Sequence, residues 1–231
     1  GEDKNVLPAI LAVIAVAAVI GILNGLMVIY LQIPAIIATM AMNYILTTAA
    51  LLINKNFSVF GTAPMLDKLI KARIFGVQLI IFLVILLAVL FWFLLNRTSY
   101  GKSLVTIGQN REAAGLAGIK VNKVEILTYV FSSVLAAIGG VLIAARVGNA
   151  ILGMGDDYTL ETVASIVVGG TLISGGKANV PGTLAGCLFL GLIVTAMQIM
   201  GFSVGAQNIA KGALIIVVLL LGAGSKETGG K

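Results

Sequence analysis

At 231 residues the chain is 59% hydrophobic and only 10% charged, against roughly 45–50% and about 25% in an ordinary soluble domain. That excludes a water-soluble globule, whose single core has no room for so much apolar surface, and makes the bilayer the relevant solvent. The formal charge of +6, from 15 Lys+Arg and 9 Asp+Glu, falls mainly in the connections between apolar runs, so it reads as membrane topology rather than nucleic-acid binding.

Residues 1–5 are polar and lead into an uncharged apolar run, 6–30, long enough to cross a membrane with some tilt. The run is about twice a signal-peptide h-region and no small-residue cleavage site closes it. Pro34 opens a second run, 35–53, at a position where its missing N–H costs nothing. Residues 54–76 mix charge with apolar side chains. Met65, Leu66, Leu69, Ile70 and Ile74 recur there at helical spacing, with Asp67, Lys68, Lys71 and Arg73 between them, which predicts a short amphipathic helix at the interface.

A third crossing is expected over 77–95, with Trp92 as an interfacial anchor. Residues 96–123 form the most polar connection. Further apolar segments follow at 124–145, 159–173, 180–200 and 206–221. The segment 159–173 is short for a crossing, and Gly169–Gly170 near its end offer a break. The fold class is therefore all-α: a polytopic transmembrane helix bundle, with 1–231 read as a single transmembrane domain.

Orientation comes from the loops. Residues 96–123 carry Arg97, Lys102, Arg111, Lys120 and Lys123 against Glu112 alone, which places them in the cytoplasm. Counting onward puts 146–157 outside, 174–179 inside, 201–205 outside and the tail with Lys226 and Lys231 inside. Counting backward puts 54–76 and the N-terminus outside, although the four basic residues of 54–76 fit that side poorly. An outside N-terminus without a signal peptide leads us to expect further crossings ahead of Gly1.

Small residues recur inside the runs, at Gly21–Gly25, Gly139–Gly140 and Gly182–Gly186. Helices gain no hydrophobic drive from pairing in lipid, so close backbone approach carries their packing; a sharper reading makes some of these glycines points that slide or break during transport. Asn24, Thr39, Asn43, Thr47, Thr48, Gln198, Gln207 and Asn208 are polar side chains inside the runs, and none of these is ionisable. Each either bonds to a neighbouring helix or lines a polar pathway; Asn24, Thr39, Asn43, Thr47 and Gln198 are the pathway candidates. Glu125 and Glu161 sit near segment ends, where interfacial solvation is the default.

No catalytic group set is present. Histidine is absent and Cys187 is the only cysteine, which removes the commonest metal ligand and general base and leaves nothing to build a Cys-based metal site. Gly170 to Ala178 resembles a phosphate-cradling loop but fails on glycine spacing and on Ala178, where Ser or Thr would reach magnesium. The chain is expected to hold no cofactor and no metal, and to catalyse no covalent step.

The most informative segment is Gly108-Gln-Asn110-Arg111-Glu112-Ala113-Ala114-Gly115-Leu-Ala-Gly118. Asn110 is a good N-cap, Glu112 suits the positive end of a helix dipole, and Gly118 is a natural stop. A short capped helix there is either an ordered cytoplasmic loop or a peg that docks into a cytoplasmic partner, and composition alone does not choose. The pattern from Gly101 to Ile119 resembles the coupling segment in permeases of the ribose-type ABC importers of bacteria. Gly25 through Ile33-Pro34 to Thr39 resembles that family's early segment. Tyr158 to Ala164, Val168 to Thr171, Ser174-Gly175-Gly176, Pro181-Gly182-Thr183 and Lys211-Gly212 resemble its C-terminal signature.

The resemblance implies the transmembrane subunit of an importer for a simple sugar or related small polar solute, in the bacterial inner membrane. Its implied partners are cytoplasmic ATPase subunits, which bind the ATP and magnesium, a second permease copy or paralogue, and an extracytoplasmic solute-binding protein. Membrane lipid surrounds it and no nucleic acid is involved. Gly108, Asn110, Arg111, Glu112, Ala113, Ala114, Gly115 and Gly118 are the implied ATPase-docking residues. Family members are longer at the N-terminus, and many carry Arg-Gly where this chain has Leu46-Thr47-Thr48. The reading from another class is a secondary carrier or channel that works without an ATPase.

Overall fold

The computed structural model of the chain describes residues 6–56, 61, 63–74, 76–172 and 175–224. Residues 1–5, Ser174 and the tail with Lys226 and Lys231 lie outside the described residues. Ten helices and one two-stranded ribbon are present among them. The chain is all-α and polytopic: α1 (Val6–Ile29), α2 (Ala35–Asn56), α4 (Leu79–Arg97), α7 (Val121–Val147) and α9 (Val180–Ile199) are long and apolar enough to cross a membrane. The 24 residues of α1 span about 36 Å at 1.5 Å per residue.

Three expectations are refined. The segment 159–173 is helical only as α8 (Asp157–Val168), whose 12 residues reach about 18 Å, short of a ~30 Å hydrocarbon layer. A Schellman motif ends it: Gly170 has φ +78°, its N–H donates to Val167 O at 2.9 Å, and Thr171 N–H donates to Ile166 O at 3.1 Å. The amphipathic stretch becomes α3 (Pro64–Lys71), followed by an antiparallel ribbon of β1 (Arg73–Ile74) and β2 (Val77–Gln78). The connection 96–123, expected to hold one short helix, holds two: α5 (Ser99–Gln109) and α6 (Arg111–Leu116). The last helix is α10 (Val204–Gly224).

The chain divides into two compact units, Gly1–Leu86 with Gly118–Asp156, and Leu87–Ala117 with Asp157–Lys231. In the first, α1 packs along α7, and α2 and α3 touch α1 and α7 respectively. Glycine makes the main seam. A Cβ on Gly21 would lie 2.6 Å from Val130 Cα, and one on Gly25 3.2 Å from Ile126 Cα, so the backbones meet with no side chain between them. In the second unit α8 packs on α9 and on α10. A Cβ on Gly169 would meet Gly182 C at 2.5 Å, and one on Gly186 would meet Ser165 C at 3.1 Å.

Small residues at the seams leave the large apolar side chains pointing out. Leu7, Leu188 and Ile209 are exposed, and no large side chain is fully buried among the described residues. In water that arrangement would not persist. In lipid, tails replace the missing core.

Candidate functional site

The turn out of α4 is set by Thr98 and Gly101. Thr98 Oγ1 accepts from Gly101 N at 3.2 Å and so caps α5. Gly101 is buried against the Leu94 and Leu95 carbonyls, where a Cβ has no room. At the far end of α5, Asn110 serves two helices. Its N–H donates to Thr106 O at 3.1 Å, closing α5. Its side-chain Oδ1 accepts from Ala113 N at 3.0 Å, opening α6.

The predicted short capped helix is therefore present as α6, with Glu112 in its first turn and Gly118 just past its end at φ +83°. Only α6's inner side is packed: Ala114 is fully buried, while Leu116 is 92% exposed. Arg111, Glu112, Ala113 and Gly115 are exposed.

Gly108, the remaining candidate of this segment, lies within the second unit against the turn at Gly175 and Gly176. A Cβ on it would lie 3.2 Å from Gly176 Cα and 3.3 Å from Gly175 C. Gln109 Nε2 donates to Gly176 O at 3.4 Å. The loop it meets is closed on itself, since Gly175 N–H donates to Leu172 O at 3.1 Å and Leu172 N–H to Lys177 O at 3.2 Å. Gly175 and Gly176 have φ of +85° and +81°, so these glycines make a left-handed turn.

Asn179 fastens that loop to both flanking helices. Its Oδ1 accepts from Gly182 N at 3.2 Å, capping α9, and its Nδ2 donates to Gly169 O at 3.1 Å at the end of α8. Its N–H donates to Thr171 Oγ1 at 3.0 Å, and the Thr171 and Thr183 hydroxyls pair at 3.1 Å. Sequence reading missed the roles of Asn179 and Thr171; the signal available was an Asn two residues before Pro181, an N-cap pattern.

The pathway candidates do not form one cluster. Asn24 is buried in α1 with its Oδ1 unpartnered. Thr39, Asn43 and Thr47 are exposed on α2 at four-residue intervals, so they share one stripe. Thr39 Oγ1 donates to Ala35 O at 2.8 Å within its own helix. Gln198 is exposed on α9, in the second unit. An ionisable pair absent from the sequence candidates also appears: Lys211, inside the apolar run 206–221, bonds to Glu161 of α8.

The amino-acid sequence matches a known class. The family described as "Branched-chain amino acid transport system / permease component" matches residues 2–223. The ribose import permease protein of Escherichia coli (strain K12) is 30% identical over 227 residues, covering 96% of this chain and 70% of the relative. The galactose/methyl galactoside import permease protein of the same strain is 33% identical over 223 residues, 92% of this chain and 65% of the relative. A probable ABC transporter permease protein of that strain is 37% identical over 145 residues, 63% of this chain and 44% of the relative. No solved structure matches the chain.

The chain belongs to this family of transport-system permease components. It is the transmembrane subunit of an ATP-binding-cassette importer, a multi-pass protein of the bacterial inner membrane, and a transport component rather than an enzyme. The reading as a secondary carrier or channel working alone is the one this membership disfavours.

Proposed function

We propose that this permease carries a simple sugar, ribose-like or hexose-like, and that α6 docks into a cytoplasmic ATPase subunit whose closure drives alternating access. A second permease copy or paralogue completes the pathway, and an extracytoplasmic binding protein delivers the solute. The observation that carries the ATPase contact is the two-faced character of α6: Ala114 is anchored inward while Leu116 stands 92% exposed beside Glu112. A rigid element with different contacts in two states is what such coupling needs.

The named relatives import ribose and galactose or methyl galactoside, and a neutral, hydroxyl-rich solute suits a route that includes the α2 stripe of Thr39, Asn43 and Thr47. Neutral amides and hydroxyls offer hydrogen bonds without trapping the solute by charge. The face of α2 that carries Thr39, Asn43 and Thr47 forms part of that route.

Co-purification tests the docking. Glu112→Arg, Gly115→Trp and Leu116→Asp all fall on exposed positions, so the fold survives while the ATPase subunits are lost from the purified complex. Retention of the ATPases by all three variants overturns the docking site.

A further inference from the structure

We infer that Gly108 and Gly176 are positioning residues through which movement of α6 reaches the α8–α9 pair. The inference rests on the docking of α6 to an ATPase, and it adds the route that the movement takes into the membrane. Chain order suggests two routes out of α6: forward through Gly118 into α7, or back through α5. The structure favours the second.

Forward, the connection passes through Gly118, at φ +83° with nothing within 4 Å of where a Cβ would stand. An unpacked left-handed glycine bends under load and transmits little. Backward, Asn110 is shared by α5 and α6, bonded to Thr106 O on one side and to Ala113 N on the other. Displacing α6 therefore displaces the end of α5. There Gly108 bears on Gly175 and Gly176 backbone to backbone, and Gly175 in turn meets Gly108 Cα at 3.2 Å from its own Cβ position. Such a contact has no rotamer with which to absorb a push.

The turn that receives the push is closed by its own hydrogen bonds and tied by Asn179 to the end of α8 and the start of α9. Glu161 and Lys211 carry the link on to α10. All of these elements belong to one compact unit, and the boundary of that unit falls between Ala117 and Gly118. The Gln109 side chain, which donates to Gly176 O at 3.4 Å, keeps the contact closed on the return stroke. Physical adjacency alone does not establish coupling; a two-state element that both sites bias does. The measurement must therefore separate coupling from assembly.

The test uses the full complex of permease, ATPases and binding protein in proteoliposomes, with radiolabelled ribose and galactose as probes and ATP hydrolysis read in parallel. Gly175→Ala and Gly176→Ala, which crowd Gly108 from the receiving turn, are expected to keep the ATPases bound and hydrolysing, while sugar moved per ATP falls about ten-fold, within the range that inter-site coupling energies produce. Gln109→Ala, which strains no backbone, is expected to show the same change at smaller size. Gly139→Ala, with open space at its Cβ position, serves as the control with an unchanged ratio. An unchanged ratio in all three test variants, with the complex intact, overturns this route and leaves the docking of α6 standing. Loss of the ATPases from Gln109→Ala also overturns it, by making the residue part of the dock. A wild-type permease that holds no ATPase overturns the docking itself, and the route with it.

Discussion

Lys211 of α10 bonds to Glu161 of α8, with only 17% and 23% of the two side chains exposed. Lys211 is the only ionisable residue of α10, and Glu161 lies one turn into a helix that starts at Asp157. Removing one member strands the other charge in a medium with little to solvate it. The pair thus acts as a brace that holds α10 against α8.

Lys211→Met is expected to destabilise the permease by roughly 3 kcal/mol, the low end for breaking a buried pair, because each side chain keeps some exposure. The double change Glu161→Leu with Lys211→Met recovers most of the loss, since neither charge remains to be solvated. Thermal unfolding in detergent, monitored by tryptophan fluorescence, measures both. A double variant no more stable than Lys211→Met would contradict the brace.

Gly21 and Gly139 contain the same residue in two different surroundings. A Cβ at Gly21 lands 2.6 Å from Val130 Cα, whereas Gly139 has nothing within 4 Å. Gly21→Ala is expected to cost about 1–3 kcal/mol through overpacking of the α1–α7 seam. Gly139→Ala gains a few tenths to about 1 kcal/mol, because alanine loses less backbone entropy in a helix. Melting temperatures of the two variants move in opposite directions, and equal shifts would argue against a glycine seam.

Asn110→Ala removes the cap of α6 and is worth about 1 kcal/mol to that helix. Asn110→Asp keeps an acceptor for the Ala113 N–H and preserves it. Hydrogen exchange across residues 110–118 reports the difference: faster for the alanine variant, close to wild type for aspartate. Unprotected amides in the wild-type permease would remove the rigid peg.

Asn43→Leu replaces the middle polar group of the α2 stripe by an apolar one of larger volume. Uptake of the transported sugar is expected to fall about 5- to 150-fold with ATPase binding intact, because a pathway that loses a hydrogen-bonding group leaves a solute hydroxyl unpaired, at about 1–3 kcal/mol. Full uptake by Asn43→Leu, Thr39→Val and Thr47→Val alike would take α2 out of the route.

The membrane character, the long crossings and the short capped helix were legible in the amino-acid sequence, because each rests on local causes. Runs of uncharged apolar residues force helices in lipid, where every backbone polar group must be satisfied within its own segment. Asn110 and Gly118 delimit α6 by hydrogen bonding and backbone freedom that neighbours in the chain supply. The shortness of the segment 159–173 and the break after Val168 were readable for the same reason, from its length and from Gly169–Gly170.

Other features depended on partners distant in the chain. That Gly108 meets Gly176, that Asn179 ties two helix ends together, and that Lys211 finds Glu161 depends on how helices cross, and crossings in lipid are chosen by shape rather than by hydrophobicity. A glycine lining a seam and a glycine facing open space read alike in one dimension, as Gly21 and Gly139 illustrate. That Asn24 is buried with an acceptor unpaired likewise came only from packing. The sequence alone therefore determined the long apolar crossings and where the capped helix α6 begins and ends. Tertiary structure decided which backbones touch, because close contact between small residues is a property of two surfaces and is not encoded in either one by itself.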